Sequence, residues 1–153
     1  MTPAPIDFEY LFEHSPNAYI LLERDFTLVA ANQAFLRVTG RRREELIGRK
    51  LFDAFPAAPG RSSREAIRRV QESLERTFAT GQRDMLALVE YPLARQTAAG
   101  PVFEERYWSA THVPVLGPDR QVRYVLQHIV DAHVPNSFVL TGDMHTSLAA
   151  AVF

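Results

Sequence analysis

The sequence of 153 residues contains no cysteine. This absence excludes disulfides, zinc–thiolate sites, iron–sulfur clusters and a cysteine nucleophile. Long apolar runs are also missing: none approaches the roughly 20 residues that a membrane-spanning helix needs. The first ten residues, MTPAPIDFEY, lack the basic and apolar regions of a signal peptide. We therefore expect a cytoplasmic location.

The chain has almost no excess charge, because its formal net charge is -1. It therefore offers no electrostatic footprint for nucleic acid or an anionic membrane, and neither is expected as a partner. Apolar residues make up 46% and charged residues 23% of the sequence. These proportions are typical of a globular protein, and the length suits one domain.

Catalytic motifs are absent as well. The sequence has no nucleophile elbow, His-Glu-x-x-His helix, phosphate loop or dinucleotide fingerprint. It also lacks a phosphoacceptor histidine box, kinase glycine boxes, a diguanylate-cyclase signature and a helix-turn-helix. His128 and His133 are five residues apart, a poor spacing for a metal. We expect no enzyme activity, no catalytic residue and no metal site. Output is then expected from another chain or from a part of the protein outside this sequence.

Four segments are predicted to be helical. The best defined is 63–80, where Ala66, Ile67, Val70, Leu74 and Phe78 recur at spacings of three and four. Asn32 is a good N-cap and Gly40 a good terminator for the helix between them. The predicted helical segments are about 6–13, 33–39, 41–47 and 63–80.

Five segments have the length and composition of strands, and turn residues separate them. Two precede the helices and three follow them, which favours one five-stranded antiparallel sheet in an α+β fold, with short helices packed on one face. The predicted strands are 18–22, 26–31, 85–93, 102–116 and 122–130.

Several short motifs occur in a fixed order along this pattern. They are DFTLVAANQAF at 25–35, TG at 39–40, ELIG at 45–48, FEERYW at 103–108, GPD at 117–119 and IVD at 129–131. Over residues 6–133 the chain resembles the PAS superfamily of sensor domains, and most of all PAS domains of bacterial sensor histidine kinases. Ala132 and His133 stand where the family has Ile and Thr, which with Pro135 argues against the usual coiled-coil output.

The resemblance implies a pocket between helices and sheet that holds a small ligand or none. Plain core packing is the alternative for each apolar candidate, whereas buried Gln127 and His112 each need a polar partner. Asp131 is a candidate for signal relay or for a simple ion pair with an arginine. The pocket candidates are Phe35, Leu51, Phe55, Ile67, Val70, Leu74, Trp108, Ala110, His112, Val125, Gln127 and Ile129.

The family also suggests partners and limits cofactors. We expect a homodimer through residues 6–12 and the outer sheet face, signalling to a kinase or another output domain of a two-component system. The cofactor is unknown: the helix 63–80 has no histidine for haem, and flavin–cysteinyl chemistry needs a cysteine. The expected sensor domain spans 1–133, and 134–153 form a tail or linker.

Two other hypotheses belong to different functional classes. In the first, the chain is a small cone-like α+β enzyme in which His112 and an acidic partner act as a base. In the second, it is a ligand-free scaffold for protein contacts, with its interior filled by Trp108, Phe35 and Phe55. An open pocket with a perturbed His/Asp pair would favour the enzyme, and a cavity would argue against the scaffold.

Overall fold

A computed structural model describes residues 4–132, and the predicted tail at 134–153 lies outside them. Strands and helices follow the predicted order along this part of the chain, with one further short helix at 51–54 and one further strand pair at 93–104. The helices are α1 Phe8–His14, α2 Gln33–Thr39, α3 Arg43–Leu46, α4 Leu51–Ala54 and α5 Arg61–Thr80. The strands are β1 Ala18–Leu22, β2 Leu28–Ala31, β3 Asp84–Glu90, β4 Leu93–Thr97, β5 Gly100–Glu104, β6 Tyr107–Leu116 and β7 Val122–Asp131.

Five of the strands form one antiparallel sheet in the order β2-β1-β7-β6-β3. The last strand therefore lies at the centre, between the early hairpin and the later strands. Helices α2, α4 and α5 contribute side chains to the same interior space as β6 and β7. The predicted fold class is confirmed.

The chain between β3 and β6 differs from the prediction. We predicted single strands over 85–93 and 102–116, but β4 and β5 form a separate two-stranded sheet. Pro92 has no N–H to continue the ladder after β3. At the base of the β4–β5 hairpin, Tyr91 N donates to Arg106 O at 2.9 Å, and this bond joins the hairpin to the ends of β3 and β6. Sequence periodicity does not reveal this change of partner.

The second strand begins two residues later than predicted. Phe26 has a φ of 70°, and its N–H donates to Glu23 O at 2.8 Å. These features belong to a tight turn, so the extended backbone starts only at Leu28. The turn residues Glu23, Arg24 and Asp25 indicate a hairpin, but they do not show that the turn extends to residue 27.

Both ends of α2 follow from local chemistry. Asn32 Oδ1 accepts from Phe35 N at 3.0 Å, as an N-cap does. Gly40 follows the helix with a φ of 69°, a left-handed conformation that favours glycine. The predicted caps are confirmed, and they fix both ends of the helix that carries Phe35.

The long helix α5 covers the sheet with one face. Its buried side chains include Ala66, Val70, Leu74 and Phe78, which recur at the predicted spacing. Ser73 and Thr77 are buried on the same side, and Thr77 Oγ1 donates to Ser73 O at 2.9 Å. Within residues 4–132, no helix is both long and apolar enough to cross a bilayer.

Candidate functional site: a cavity beside a buried polar chain

A cavity of about 70 Å³ lies between the helices and the sheet. No side chain with a formal charge is among the described residues that line it. This volume is well below the about 300–1,000 Å³ of typical small-molecule pockets, so the space suits only a ligand smaller than most. Its lining residues are Phe35, Thr39, Leu51, Phe52, Phe55, Val70, Val89, Tyr91, Leu93, Trp108, Ala110, Gln127 and Ile129.

Most of the predicted pocket residues meet at this cavity. From the helices these are Phe35, Leu51, Phe55 and Val70, and from the strands they are Trp108, Ala110, Gln127 and Ile129. The alternation of side chains along β6 and β7 places the strand residues on one face. Whether a ligand binds among them stays a prediction.

The other candidates lie away from the cavity. Leu74 and Val125 are fully buried and belong to the main core cluster. Ile67 is half-buried on α5 and is not among the lining residues. His112 is fully buried and is not a lining residue; it contacts Gln127, which is one.

Sequence reasoning missed the wall formed around the β4–β5 hairpin. Tyr91 and Leu93 line the cavity, and Tyr91 Oη donates to Phe55 O at 2.5 Å. Trp108 Nε1 donates to Tyr91 O at 3.0 Å, which holds the indole against the same wall. The apolar alternation Val89, Tyr91, Leu93 was the available signal, since these residues share a parity.

A row of polar side chains crosses the sheet next to the cavity. Asp84 on β3 pairs with His112 on β6, and His112 pairs with Gln127 on β7. Directly paired residues place their side chains on the same face, so the three lie in line. Ser73 of α5 joins the row, with its Oγ 2.5 Å from Asp84 Oδ2 and 2.7 Å from His112 Nδ1.

The row ends at the surface on one side and at the cavity on the other. Arg76 Nη2 donates to Asp84 Oδ2 at 3.0 Å, and the arginine is exposed. His112 Nε2 lies 2.8 Å from Gln127 Nε2, and Gln127 lines the cavity. The sequence named His112 and Gln127 but not Ser73 or Asp84, because only strand pairing and the docking of α5 bring these four together.

The protonation states along this row follow from burial and hydrogen bonding. Burial lowers the pKa of His112 to about 4, so the imidazole is neutral near pH 7. The hydrogen bond from Ser73, aided by Arg76, lowers the pKa of Asp84 below its ordinary value. An anionic carboxylate therefore faces a neutral histidine across a hydroxyl group.

Asp131 forms an ion pair with Arg106, whose Nη2 lies 2.8 Å from Asp131 Oδ2. The same arginine donates to Val38 O at 3.2 Å, and its guanidinium lies 4.9 Å from the centre of the Trp108 ring. Arg106 thus contacts the cavity wall, the end of α2 and the end of β7. Asp131 therefore has the predicted arginine partner, and that arginine also contacts Trp108, which lines the cavity.

Helix α1 presents an exposed apolar surface. Phe8, Tyr10 and Leu11 of this helix are each more than half exposed, and so is Ile6 just before it. The helix is nevertheless held at its C-terminal end: Arg43 Nη2 lies 2.6 Å from Glu13 Oε1, and Asn32 Nδ2 donates to the Phe12 carbonyl at 3.0 Å.

Comparison with known proteins agrees with this architecture. The PAS_4 family model, described as "PAS fold", matches residues 12–133. Among curated proteins, none matches the chain.

Many solved structures share the fold, and three of them show how low the sequence identity is. A sensory box sensor histidine kinase from Vibrio cholerae has a TM-score of 0.54 at 16% identity, covering 84% of this chain and 90% of that chain. The PAS domain of Bordetella pertussis BvgS gives 0.59 at 14%, covering 94% and 95%. The Vibrio cholerae VqmA dimer gives 0.59 at 18%, covering 87% and 53%. With the family match over most of its length, the chain belongs to the PAS fold family.

Proposed function

We propose that this chain is a sensory PAS domain that binds a small uncharged molecule in its cavity and relays the occupancy to an output domain. The observation that carries the proposal is the cavity itself, with its apolar lining and the amide of Gln127. A charged ligand would lose its hydration there without finding an opposite charge. The ring-lined space favours this function over a filled scaffold, since Trp108, Phe35 and Phe55 surround the cavity rather than fill it.

The relay is proposed to run through Trp108 and Arg106 to Asp131. A ligand that moves the indole would disturb the guanidinium that lies over it and the ion pair at the end of β7. A ligand can shift this arrangement only by its different affinity for two states. The proposed receiver is a kinase or another output domain of a two-component system, in the cytoplasm; one similar structure is described as a sensor histidine kinase.

The proposal includes a homodimer formed through α1. Its exposed apolar side chains need cover, and a twofold dimer would bury the same surface on both copies. The similar VqmA structure is described as a dimer. The proposed sensor domain is 1–133.

A non-catalytic role is supported by the position of His112. Both ring nitrogens are engaged, by Ser73 and Gln127, and Gln127 separates the ring from the cavity. A general base must reach the proton that it removes. The enzyme alternative therefore lacks an accessible base at this histidine.

A cavity-filling variant tests the ligand site. Ala110 lines the cavity, whereas its neighbour Thr111 points to the other face of β6. After incubation with a small-molecule extract of the producing cells, native mass spectrometry should show added mass on the wild type and on Thr111→Phe, but not on Ala110→Phe. A wild-type protein without added mass, or equal retention by both variants, would contradict the proposal.

A further inference from the structure

The polar row Asp84–Ser73–His112–Gln127 has one direction of hydrogen-bond donation. A carboxylate only accepts, so the single hydroxyl hydrogen of Ser73 is donated to Asp84 Oδ2. Ser73 Oγ must then accept the hydrogen bond from His112, which places a hydrogen on Nδ1. A neutral imidazole has one N–H, so Nε2 carries the lone pair.

This direction determines how the Gln127 amide is turned. The lone pair of His112 Nε2 accepts from an N–H, so the amide group of Gln127 at 2.8 Å must be Nε2. A flipped amide would place two acceptors face to face. Arg76 contacts the Asp84 carboxylate at 3.0 Å. The charge of that carboxylate therefore fixes the orientation of the Gln127 amide through Ser73 and His112.

The carbonyl oxygen of Gln127 is then the group offered to the cavity. Gln127 lines that space, and its hydrogen bond within the described residues uses Nε2. In that same part of the chain, no fully buried side-chain nitrogen or oxygen lacks a partner. Oε1 is therefore not sealed in protein but opens onto the cavity, with both lone pairs available, whereas Nε2 already spends one hydrogen on His112.

The other polar groups of the lining are already committed. Thr39 Oγ1 donates to Phe35 O at 2.8 Å, Tyr91 Oη donates to Phe55 O, and Trp108 Nε1 donates to Tyr91 O. Each of these donors is used inside the protein. The cavity therefore presents an acceptor at Gln127 on an otherwise apolar wall.

We propose that the polar row Asp84–Ser73–His112–Gln127 makes the cavity selective for uncharged, mainly apolar ligands that donate a hydrogen bond to Gln127 Oε1. This inference rests on the proposed function, because it specifies the ligand of the same cavity. Such ligands carry a hydroxyl or N–H on a small ring or hydrocarbon. Ligands that only accept a hydrogen bond cannot bond to Oε1, and anions would also lack a counter-charge.

The first test measures the direction of hydrogen-bond donation along the polar row in the absence of any ligand. Long-range ¹H–¹⁵N spectra of the full chain near neutral pH should show His112 with its proton on Nδ1. In Asp84→Asn, the side-chain amide can donate to Ser73, so the fixed direction is lost and the Nε2–H form should become populated. A wild-type His112 protonated on Nε2 would overturn the inference, because Gln127 would then present an N–H.

The second test uses phenol and toluene, which have similar shapes and differ in one donor. Affinities are measured by calorimetry on the wild type, on Gln127→Leu and on Asp84→Asn. We expect the ratio of phenol to toluene affinity to fall about tenfold in Gln127→Leu, the worth of one hydrogen bond. Asp84→Asn should also lower the ratio of phenol to toluene affinity. If Gln127→Leu does not fold, the test rests on comparing Asp84→Asn with the wild type.

The outcomes separate the two proposals. If both probes bind and the ratio is the same in all three proteins, the donor selectivity is wrong while the ligand cavity stands. If neither probe binds the wild type, the proposed function fails and the selectivity falls with it.

Discussion

At the scale of single residues, His112 ties the stability of the fold to pH. Its pKa is lowered to about 4 by burial, whereas a histidine in an unfolded chain titrates near about 6.5. Between these two values the unfolded chain binds a proton that the folded protein does not. The free energy of unfolding therefore falls as the pH drops through this window.

We expect His112 to account for a loss of about 2 kcal/mol in the free energy of unfolding between about pH 7 and pH 5. Urea unfolding followed by the fluorescence of Trp108, the single tryptophan, measures this loss. His112→Gln should remove most of the pH dependence. His128→Gln is the matched comparison: burial lowers the pKa of His128 as well, but that histidine is only half-buried, so its substitution should remove less of the pH dependence. Equal slopes in the wild type and His112→Gln would contradict the assignment.

Asn32 shows what a single residue can reveal before a structure is known. The sequence predicted its role as an N-cap, and the cap bond to Phe35 N is present. The structure adds that its side chain also accepts from Tyr19 N and donates to the carbonyls of Phe12 and Asn17. Those partners come from elements that are distant in sequence, so a local pattern could not identify them.

At the scale of elements, α1 is the test of the proposed dimer. None of its residues is buried, although Phe8 and Leu11 are large and apolar. We expect Phe8→Glu with Leu11→Glu to convert the dimer into a monomer, measured by size exclusion with light scattering. The unfolding free energy of the monomer should change little, because surface substitutions usually cost less than about 0.5 kcal/mol.

Glu9→Ala provides the matched control for this experiment. Glu9 is exposed on the same helix and ends in a charged carboxylate, so its replacement should leave the apolar contact and the dimer intact. A wild-type protein that is monomeric at high concentration, or a double variant that stays dimeric, would show that α1 is not the interface.

Elements with a strong period could be predicted, and the exchange of strand partners could not. The spacing of Ala66, Val70 and Leu74 predicted α5, because one helix face meets the sheet. The prediction ended one strand at 93 and began the next at 102, whereas β4 and β5 extend over 93–104 and pair with each other instead of joining the main sheet. Composition indicates extended backbone and leaves the choice of neighbour to the tertiary structure.

At the scale of the whole molecule, the order of elements predicted the fold class but not the space inside it. The parities of β6 and β7 placed Trp108, Ala110, Gln127 and Ile129 on one face, where the structure has them. An empty volume depends on how closely side chains from several elements meet, and a methyl group more or less decides it. The cavity and the polar row that links Asp84 to Gln127 were therefore found only in the structure.

The central claim, that the interior of this domain accepts a small apolar guest, is tested most directly by xenon. Methyl spectra of the wild-type protein are recorded under increasing xenon pressure. The account predicts saturable shifts for the methyl groups of Val70, Val89 and Ile129, which line the cavity, and none for Leu28, which is buried elsewhere in the core. Unchanged methyl signals at the cavity, or equal shifts at Leu28, would contradict it.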